Sequence, residues 1–561
     1  MRQRSNYSLF ATKTLTQGMS SFGFPSDLSD RIIAIHKWLR YMREGNPLNE
    51  ATDAEFINDI FAKVLGYKSP FEPESRSWEL EFTPTPTLGF FSESESNVVA
   101  EIFIDRMNSK VEPKHLTTEW LIVADYRFIR LYHRSKSMLF YQQFALEDLV
   151  SSFNCLKQFY FLMSRRTLLT GAAQSQEPSR IAKLLEESDQ TETAIADNFY
   201  TRYQKIRLQL IKDFRYRLQH SNLEHDRINI NRDINIEAIA KAQKLLNRII
   251  FIAFCEDNNF LPDGMLASAY RFNNPYSIQP IWGNYKAIFS WISQGNVKHL
   301  PAIFQFGGEL FQQDEILDQF LFVGDELCRQ IKELTKFDFN EEISDTVLTY
   351  ILEEAVKDLL SLKDDSEKSS KRRRSRYPPK ALSNHESIYW ELRDYFDRQD
   401  IVDPAHVDPD ISIDLNSELE TSPEALDQNL ETINRKREYL LLKRQKLVNL
   451  RVIDPKCGSG IGLVIALNFL LFEFEQIELE IARLDNDIHI FSRQEMIESI
   501  VKNNLYGCDP SPECIEITKL HLWLRTVQSL QPLLDLDRNI QLGDLKNCNF
   551  GFDLTDSLIL N

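Results

Sequence analysis

The 561-residue chain reads as a multidomain α/β protein. Three observations predict this. The chain is longer than one hydrophobic core usually serves. Its middle carries apolar residues at three- and four-residue spacing, the mark of helices. Its last stretch alternates strand, helix, strand, helix, strand, which is half of a doubly wound parallel sheet.

Taken in order, residues 1–165 read as a mixed α/β domain. Residues 54–65 have helical spacing and stop at Gly66. Strand-like runs follow at 98–104, 119–124 and 128–132. Residues 166–182 are small and polar and are expected to form a linker. Residues 183–362 are expected to be mostly helical, with helices at 239–254 and 344–362 separated by a break at 258–264 that contains Pro262 and Gly264. Residues 363–445, with the basic run Lys371–Arg374 and an acidic segment at 403–424, are expected to be a solvated linker. From 446 onward, strands are expected at 450–453, 505–508 and 539–542, with helices at 463–474 and 512–524. No internal repeat is evident.

Composition narrows the class. Hydrophobic residues make up 43% and charged residues 26%, an ordinary globular mixture. No apolar run reaches the roughly 18–20 residues of a membrane span, and no apolar signal core follows the basic start MRQRSNYSLF. No membrane association is therefore expected. Seven cysteines stand singly, without a CxxC pair or zinc-spaced histidines, so a cytoplasmic protein with reduced thiols and no metal is expected. The net charge of −18 argues against a general polyanion binder, although a local basic groove remains compatible with DNA.

The informative chemistry is at the end. Asp454-Pro455-Lys456-Cys457-Gly458-Ser459-Gly460 lies between a strand and a helix. Glycines there permit positive φ and close approach of a ligand, and the helix start offers N–H groups to a carboxylate. S-adenosylmethionine (SAM) has such a carboxylate and an ammonium that Asp454 can hold. Asp509 ends the next strand, where nucleoside-binding sheets place an acid for the ribose hydroxyls. Asp544 follows the third strand, where an acid can accept from an adenine amine. Each acid alone could be a helix cap, Asp509 before Pro510 especially. Three at successive strand ends converge on one crevice.

Residues 450–463 (LRVIDPKCGSGIGL), 503–524 (NNLYGCDPSPECIEITKLHLWL) and 539–545 resemble motifs I, II and III of the gamma-order adenine-N6 DNA methyltransferases. The chain most resembles the large type IIG restriction–modification enzymes, which join a nuclease, a helical connector and a methyltransferase. Residues 245–262 (LLNRIIFIAFCEDNNFLP), 306–311 (FGGELF) and 337–339 are similar to that connector. The resemblance implies a Rossmann-like SAM-dependent sheet in 446–561. It gives Asp454, Gly458 and Gly460 to the methionine end of SAM, Asp509 to the ribose and Asp544 to the adenine, and it counts Pro455, Cys457 and Pro510 among the cofactor-binding residues. It also implies a degenerate methionine-side motif at Arg376-Tyr377-Pro378-Pro379, with Tyr377 toward the cofactor. Two departures stand out. Gly462 occupies a position that is usually aromatic, and the usual threonine after Tyr377 is missing.

The family orients its target amine with an Asn-Pro-Pro-Tyr loop after the fourth strand, and holds the flipped base there. No such tetrapeptide occurs. Asn273-Asn274-Pro275-Tyr276 lies far upstream and is expected to be a turn. With only 17 residues after Asp544, the fourth to seventh strands and the target-recognition domain are expected to be missing, so the partial sheet stops after motif III with an open edge. No catalytic residue is assigned. The front domain resembles the family's Asp…Glu-x-Lys nuclease in a degenerate form: Thr85 replaces the acid, Phe103 replaces the lysine, and Glu101 remains, with Asp105 two pleats away. One carboxylate is a poor magnesium site.

The expectation is a SAM-binding front portion of an adenine-specific DNA methyltransferase, inactive alone. It would need DNA and a partner chain carrying the missing loop and recognition domain. The alternative is a decayed or repurposed protein that binds SAM or other proteins without catalysis.

Overall fold

The structure is a computed structural model and describes residues 7–44, 50–70, 77–82, 85–92, 96–104, 118–169, 179–220, 232–272, 276, 279–296, 303, 305, 309–363, 386–398, 423–485, 492–526, 536, 539–551 and 557–560. The architecture is mixed α/β, with two sheets separated in sequence by helices.

The first sheet runs β1 (Ser77–Glu81), β2 (Thr87–Ser92), β3 (Ser96–Ile104), β4 (Trp120–Ala124), β5 (Phe128–His133) and β6 (Gln142–Ala145), in that spatial order. Only β3 and β4 pair in parallel. Alternation along β4 sends Trp120, Ile122 and Ala124 into the main core. Leu121 and Val123 form a small cluster with Tyr132 on the opposite face. The expected strands all form within a residue or two of their predicted ends.

The helical region contains α1 (Arg180–His220), α2 (Arg232–Asp257) and α3 (Asp345–Lys363), with shorter helices at Met265–Arg271, Pro280–Gln294 and Asp325–Leu334 between the last two. The linker expected at 166–182 is cut into from both sides. A helical turn at Arg165–Leu168 enters it, and α1 begins at Arg180, because Ile181, Leu184 and Leu185 carry the helix's apolar stripe back to its start. The buried Arg207 of α1 reaches Asp358 of α3 at 2.7 Å and the Ala355 carbonyl at 3.0 Å.

The linker expected over 363–445 is corrected further. It contains α4 (Glu386–Arg398), and α5 (Pro423–Asn449) begins inside it. Ile388, Leu392 and Phe396, four residues apart on α4, are all buried. Arg393 between them pairs at 2.5 Å with the buried Glu473. The charge-rich α5 buries Leu440 and Leu447, and its Arg444 pairs with Glu478 at 2.6 Å. The basic run 371–374 and the acidic segment up to 422 lie outside the described residues, as does Tyr377.

The second sheet is built from β7 (Arg451–Asp454), α6 (Ile461–Asp485), α7 (Arg493–Asn503), β8 (Leu505–Asp509), α8 (Pro512–Thr526), β9 (Ile540–Leu542) and β10 (Ser557–Ile559). The strand order is β10-β7-β8-β9, every pair parallel. This corrects the expectation that no residues remain for a fourth strand. Leu558 pairs with Val452, and the following Leu560 is buried, so three residues suffice to add a strand to the other side of β7. Side-chain amides fix the strand starts: Asn504 donates to the carbonyls of Leu447 and Leu450 at 2.6 and 2.5 Å, and Asn539 donates to those of Val501 and Leu505 at 2.8 and 2.9 Å. One buried apolar cluster includes residues from both sheets and from the helices between them.

Candidate cofactor site

The glycine-rich turn leaves β7 at Asp454 and enters α6 at Ile461. Gly458 (φ +53°) and Gly460 (φ +77°) both take left-handed backbone, as the sequence pattern requires. A Cβ on Gly460 would stand 3.1–3.2 Å from the side chain and Cα of Thr518, so α8 packs directly under the turn. The turn closes on itself through Gly460 N–H donating to the Cys457 carbonyl at 2.6 Å. Two of its carbonyls face α8: Gly458 accepts from the Thr518 hydroxyl at 3.1 Å, and Ser459 accepts from His521 Nδ1 at 2.8 Å.

The sheet brings the three predicted acids together at one end. Asp454 pairs in register with Gly507, two residues before Asp509, and Asp509 pairs with Leu542, two residues before Asp544. Asp454 is half-buried and accepts from the Lys456 amide at 3.1 Å. Asp509 is 7% exposed; its carboxylate accepts from the amides of Gly458 at 3.2 Å and Ser511 at 2.8 Å. Asp509 thus joins the turn to the α8 start, which fits its alternative reading as a cap. A carboxylate offers about four acceptor positions, so two remain for a diol. Asp544 is exposed, just past β9, and Gly543 N–H donates to the Asp509 carbonyl at 3.0 Å.

Of the other candidates, Pro455 is half-buried and Pro510 exposed. Cys457 is buried, and burial pushes its thiol up, so it presents a neutral sulfur to the turn. Cys508 behaves alike, pushed up to about 12 by burial. Gly462 has a local reason to be glycine: a Cβ there would stand 2.7 Å from Asp454 Oδ2 and 3.2 Å from Leu560 Cδ1. The Asp454 carboxylate and the residue after β10 take the space that a side chain at 462 would need.

Sequence reasoning missed the support behind the turn. His521 Nε2 meets Thr349 Oγ1 of α3 at 3.3 Å. Lys363, at the end of α3, binds Glu513 and, at 3.3 Å, the Ser511 hydroxyl. Arg525 binds Asp345, and its guanidinium lies 5.5 Å from the Tyr7 ring centre. The only signal was polar residues within the apolar run of 512–526.

On the front sheet, Glu101 lies on β3, paired in register with Thr87, and its carboxylate accepts from Thr118 at 3.4 Å. Thr85 is exposed just before β2, and Phe103 is 38% exposed two residues beyond Glu101. Asp105 lies outside the described residues. Among the described residues, no three histidine, cysteine or acidic side chains gather as a metal site. All seven cysteines are free, and no described helix is long and apolar enough to cross a membrane. Tyr276 is exposed, and its three preceding residues lie outside the described set.

Comparison with known proteins matches residues 430–541 to the family model of the MmeI DNA-methyltransferase domain. A Methanocaldococcus jannaschii protein named as a type II restriction enzyme and methyltransferase is 24% identical over 318 residues, which cover 51% of this chain and 25% of the relative. The chain thus aligns with about a quarter of that relative's length. Among solved structures, the type IIL restriction–modification enzyme MmeI in complex with DNA is 13% identical at a TM-score of 0.35, covering 59% of this chain and 36% of that one. A DrdV–DNA complex is 12% identical at a TM-score of 0.26, covering 91% and 40%. The family model falls on α5, the glycine turn and β7 to β9, so that residues 430–541 are similar to the methyltransferase domain of MmeI.

Proposed function

We propose that residues 446–561 hold SAM for methyl transfer to an adenine amine of DNA. The observation that carries this reading is the alignment of Asp454, Asp509 and Asp544 at or just past the ends of three adjacent parallel strands, with the glycine turn bonded to Asp509. SAM, when bound, supplies an activated methyl group. The chain's own residues would bind and orient. The amides at the α6 start would hold the carboxylate and Asp454 the ammonium. Asp509 would accept the ribose hydroxyls with its remaining lone pairs. Asp544, free to approach from solvent, would accept from the adenine ring's amine.

The fourth strand sharpens the account of the transfer step. In the family that this chain resembles, the amine-orienting loop follows the fourth strand. β10 is that strand by position, and Asn561 is the second residue after it. We propose Asn561 as the first residue of that loop. Target recognition and base holding would come from residues other than 446–561.

The experiment is transfer of tritium from labelled SAM to mixed genomic DNA. Residues 1–561 alone are expected to leave DNA unlabelled, because the loop and base pocket that make the contacts preferred in the transition state are not among them. Addition of a segment carrying that loop and pocket should produce label. Label from the chain alone would overturn the incompleteness, and no label with either would favour a repurposed, non-catalytic protein. For the front sheet we propose no nuclease activity, on the strength of Thr85 and Phe103 standing where the resembled family has its acid and its lysine.

A further inference from the structure

The cofactor turn belongs to the second sheet, but it is braced from outside that sheet. Behind it lies α8, and behind α8 lies α3 of the helical region. Three contacts tie α3 to α8 along their lengths: Asp345 with Arg525, Thr349 with His521, and Lys363 with Glu513 and Ser511. The middle contact continues into the turn, since His521 also bonds the Ser459 carbonyl at 2.8 Å.

The chemistry of this bridge is directional. A carbonyl oxygen only accepts, so His521 Nδ1 carries the proton and donates to Ser459. In the neutral ring Nε2 is then an acceptor, and the Thr349 hydroxyl donates to it. Burial keeps the ring neutral, holding its pKa down to about 4; the bond to Ser459 and the nearby Asp345 oppose this, and Arg525 adds to it. Thr518 fixes the neighbouring Gly458 carbonyl in the same sense. Two successive carbonyls of the turn are therefore turned toward α8 and already bonded there. Val356 of α3 reaches the same turn, 4.0 Å from a Cβ built on Gly458.

We infer that Thr349 and His521 are positioning residues for the cofactor turn, so that the helical region forms part of the SAM site. The Ser459 carbonyl fixes the His521 tautomer, Thr349 holds the ring from its far side, and His521 in turn sets the direction of the Ser459 carbonyl. This deepens the proposed function and rests on SAM being the ligand.

The test is calorimetric titration of SAM into the full chain and its Thr349→Val, Thr349→Ser and Thr346→Val variants, with thermal unfolding of each in the absence of ligand. Thr346 is equally buried on α3 and lies outside the bridge. Loss of one neutral hydrogen bond should weaken SAM binding by Thr349→Val on the order of threefold to tenfold. Thr349→Ser, which keeps the hydroxyl, should restore it, and Thr346→Val should bind as wild type. Should Thr349→Val fail to fold, His521→Asn takes its place. It retains an N–H for Ser459 while losing the Thr349 contact, and the same weakening is expected. Equal affinity in Thr349→Val and wild type would overturn the inference. So would equal weakening by Thr349→Val and Thr346→Val, which would indicate packing alone. A wild-type chain that binds no SAM would instead overturn the functional reading on which the inference stands.

Discussion

Gly460→Ala should damage both the fold and the cofactor site by an amount the geometry sets. At φ +77° an L-residue pays a left-handed backbone cost of about 1–2 kcal/mol. The new methyl would also stand 3.1 Å from Thr518 Cγ2 and 3.2 Å from its Cα. The backbone atom cannot rotate away, so the turn or α8 must shift by a few tenths of an ångström. Together these predict destabilisation of about 2–3 kcal/mol, read as the shift in a urea unfolding curve at unchanged slope. The shift would also disturb the Gly458–Thr518 bond and weaken SAM binding. Gly283→Ala provides the opposite sign. Gly283 lies inside a regular helix with nothing within 4 Å of a built Cβ, so alanine should stabilise by about 0.5–1 kcal/mol. A Gly460→Ala protein as stable as wild type, with the same SAM affinity, would show that neither the left-handed backbone nor the packing on Thr518 holds the turn.

Three other outcomes are expected. Arg393→Met strands the buried Glu473 carboxylate and should cost about 3–5 kcal/mol in urea unfolding; adding Glu473→Leu should recover most of it, and a harmless single variant would contradict the buried pair. Because burial holds His521 near 4 while an unfolded histidine titrates near about 6.5, its share of stability should be full above the unfolded value. It should be lost as pH falls toward 4, on the order of 2–3 kcal/mol. His521→Gln should flatten that part of the stability–pH curve, and an unchanged acid limb would count against a buried neutral ring. Plasmid DNA incubated with the chain and Mg²⁺ or Mn²⁺ should stay intact; cleavage that disappears in Glu101→Ala would show a working nuclease.

What was legible in the sequence was what short-range chemistry dictates. The turn announces itself because Gly458 and Gly460 both need positive φ between a strand and a helix, and the strands of both sheets alternate or run apolar. The helices around 386–398 and 423–449 were hidden because their stability is tertiary. α4 shows three apolar residues at four-residue spacing, but among charges and beside a polar stretch. α5 is mostly charged and relies on Leu440, Leu447 and ion pairs to α6. β10 is three residues long and stabilised by a neighbour more than a hundred positions earlier, beyond any local pattern. The three acids were legible as strand-end residues, and the structure places them at or just past those ends. His521 and Thr349 were not, since they stand 172 positions apart and meet only through packing. Gly462 looked like a defect in the motif, and only the closeness of Asp454 explains it.

In the proposed SAM site the ends of β7, β8 and β9 surround the cofactor, with Asp509 at the centre. The most direct measurement is calorimetric titration of SAM into the purified chain and into Asp509→Ala. One site per chain is expected for wild type, and the variant should lose on the order of 1.5–3 kcal/mol, the scale of hydrogen bonds to a charged group. A wild-type chain that takes up no SAM, or a variant that binds it equally well, would contradict the claim.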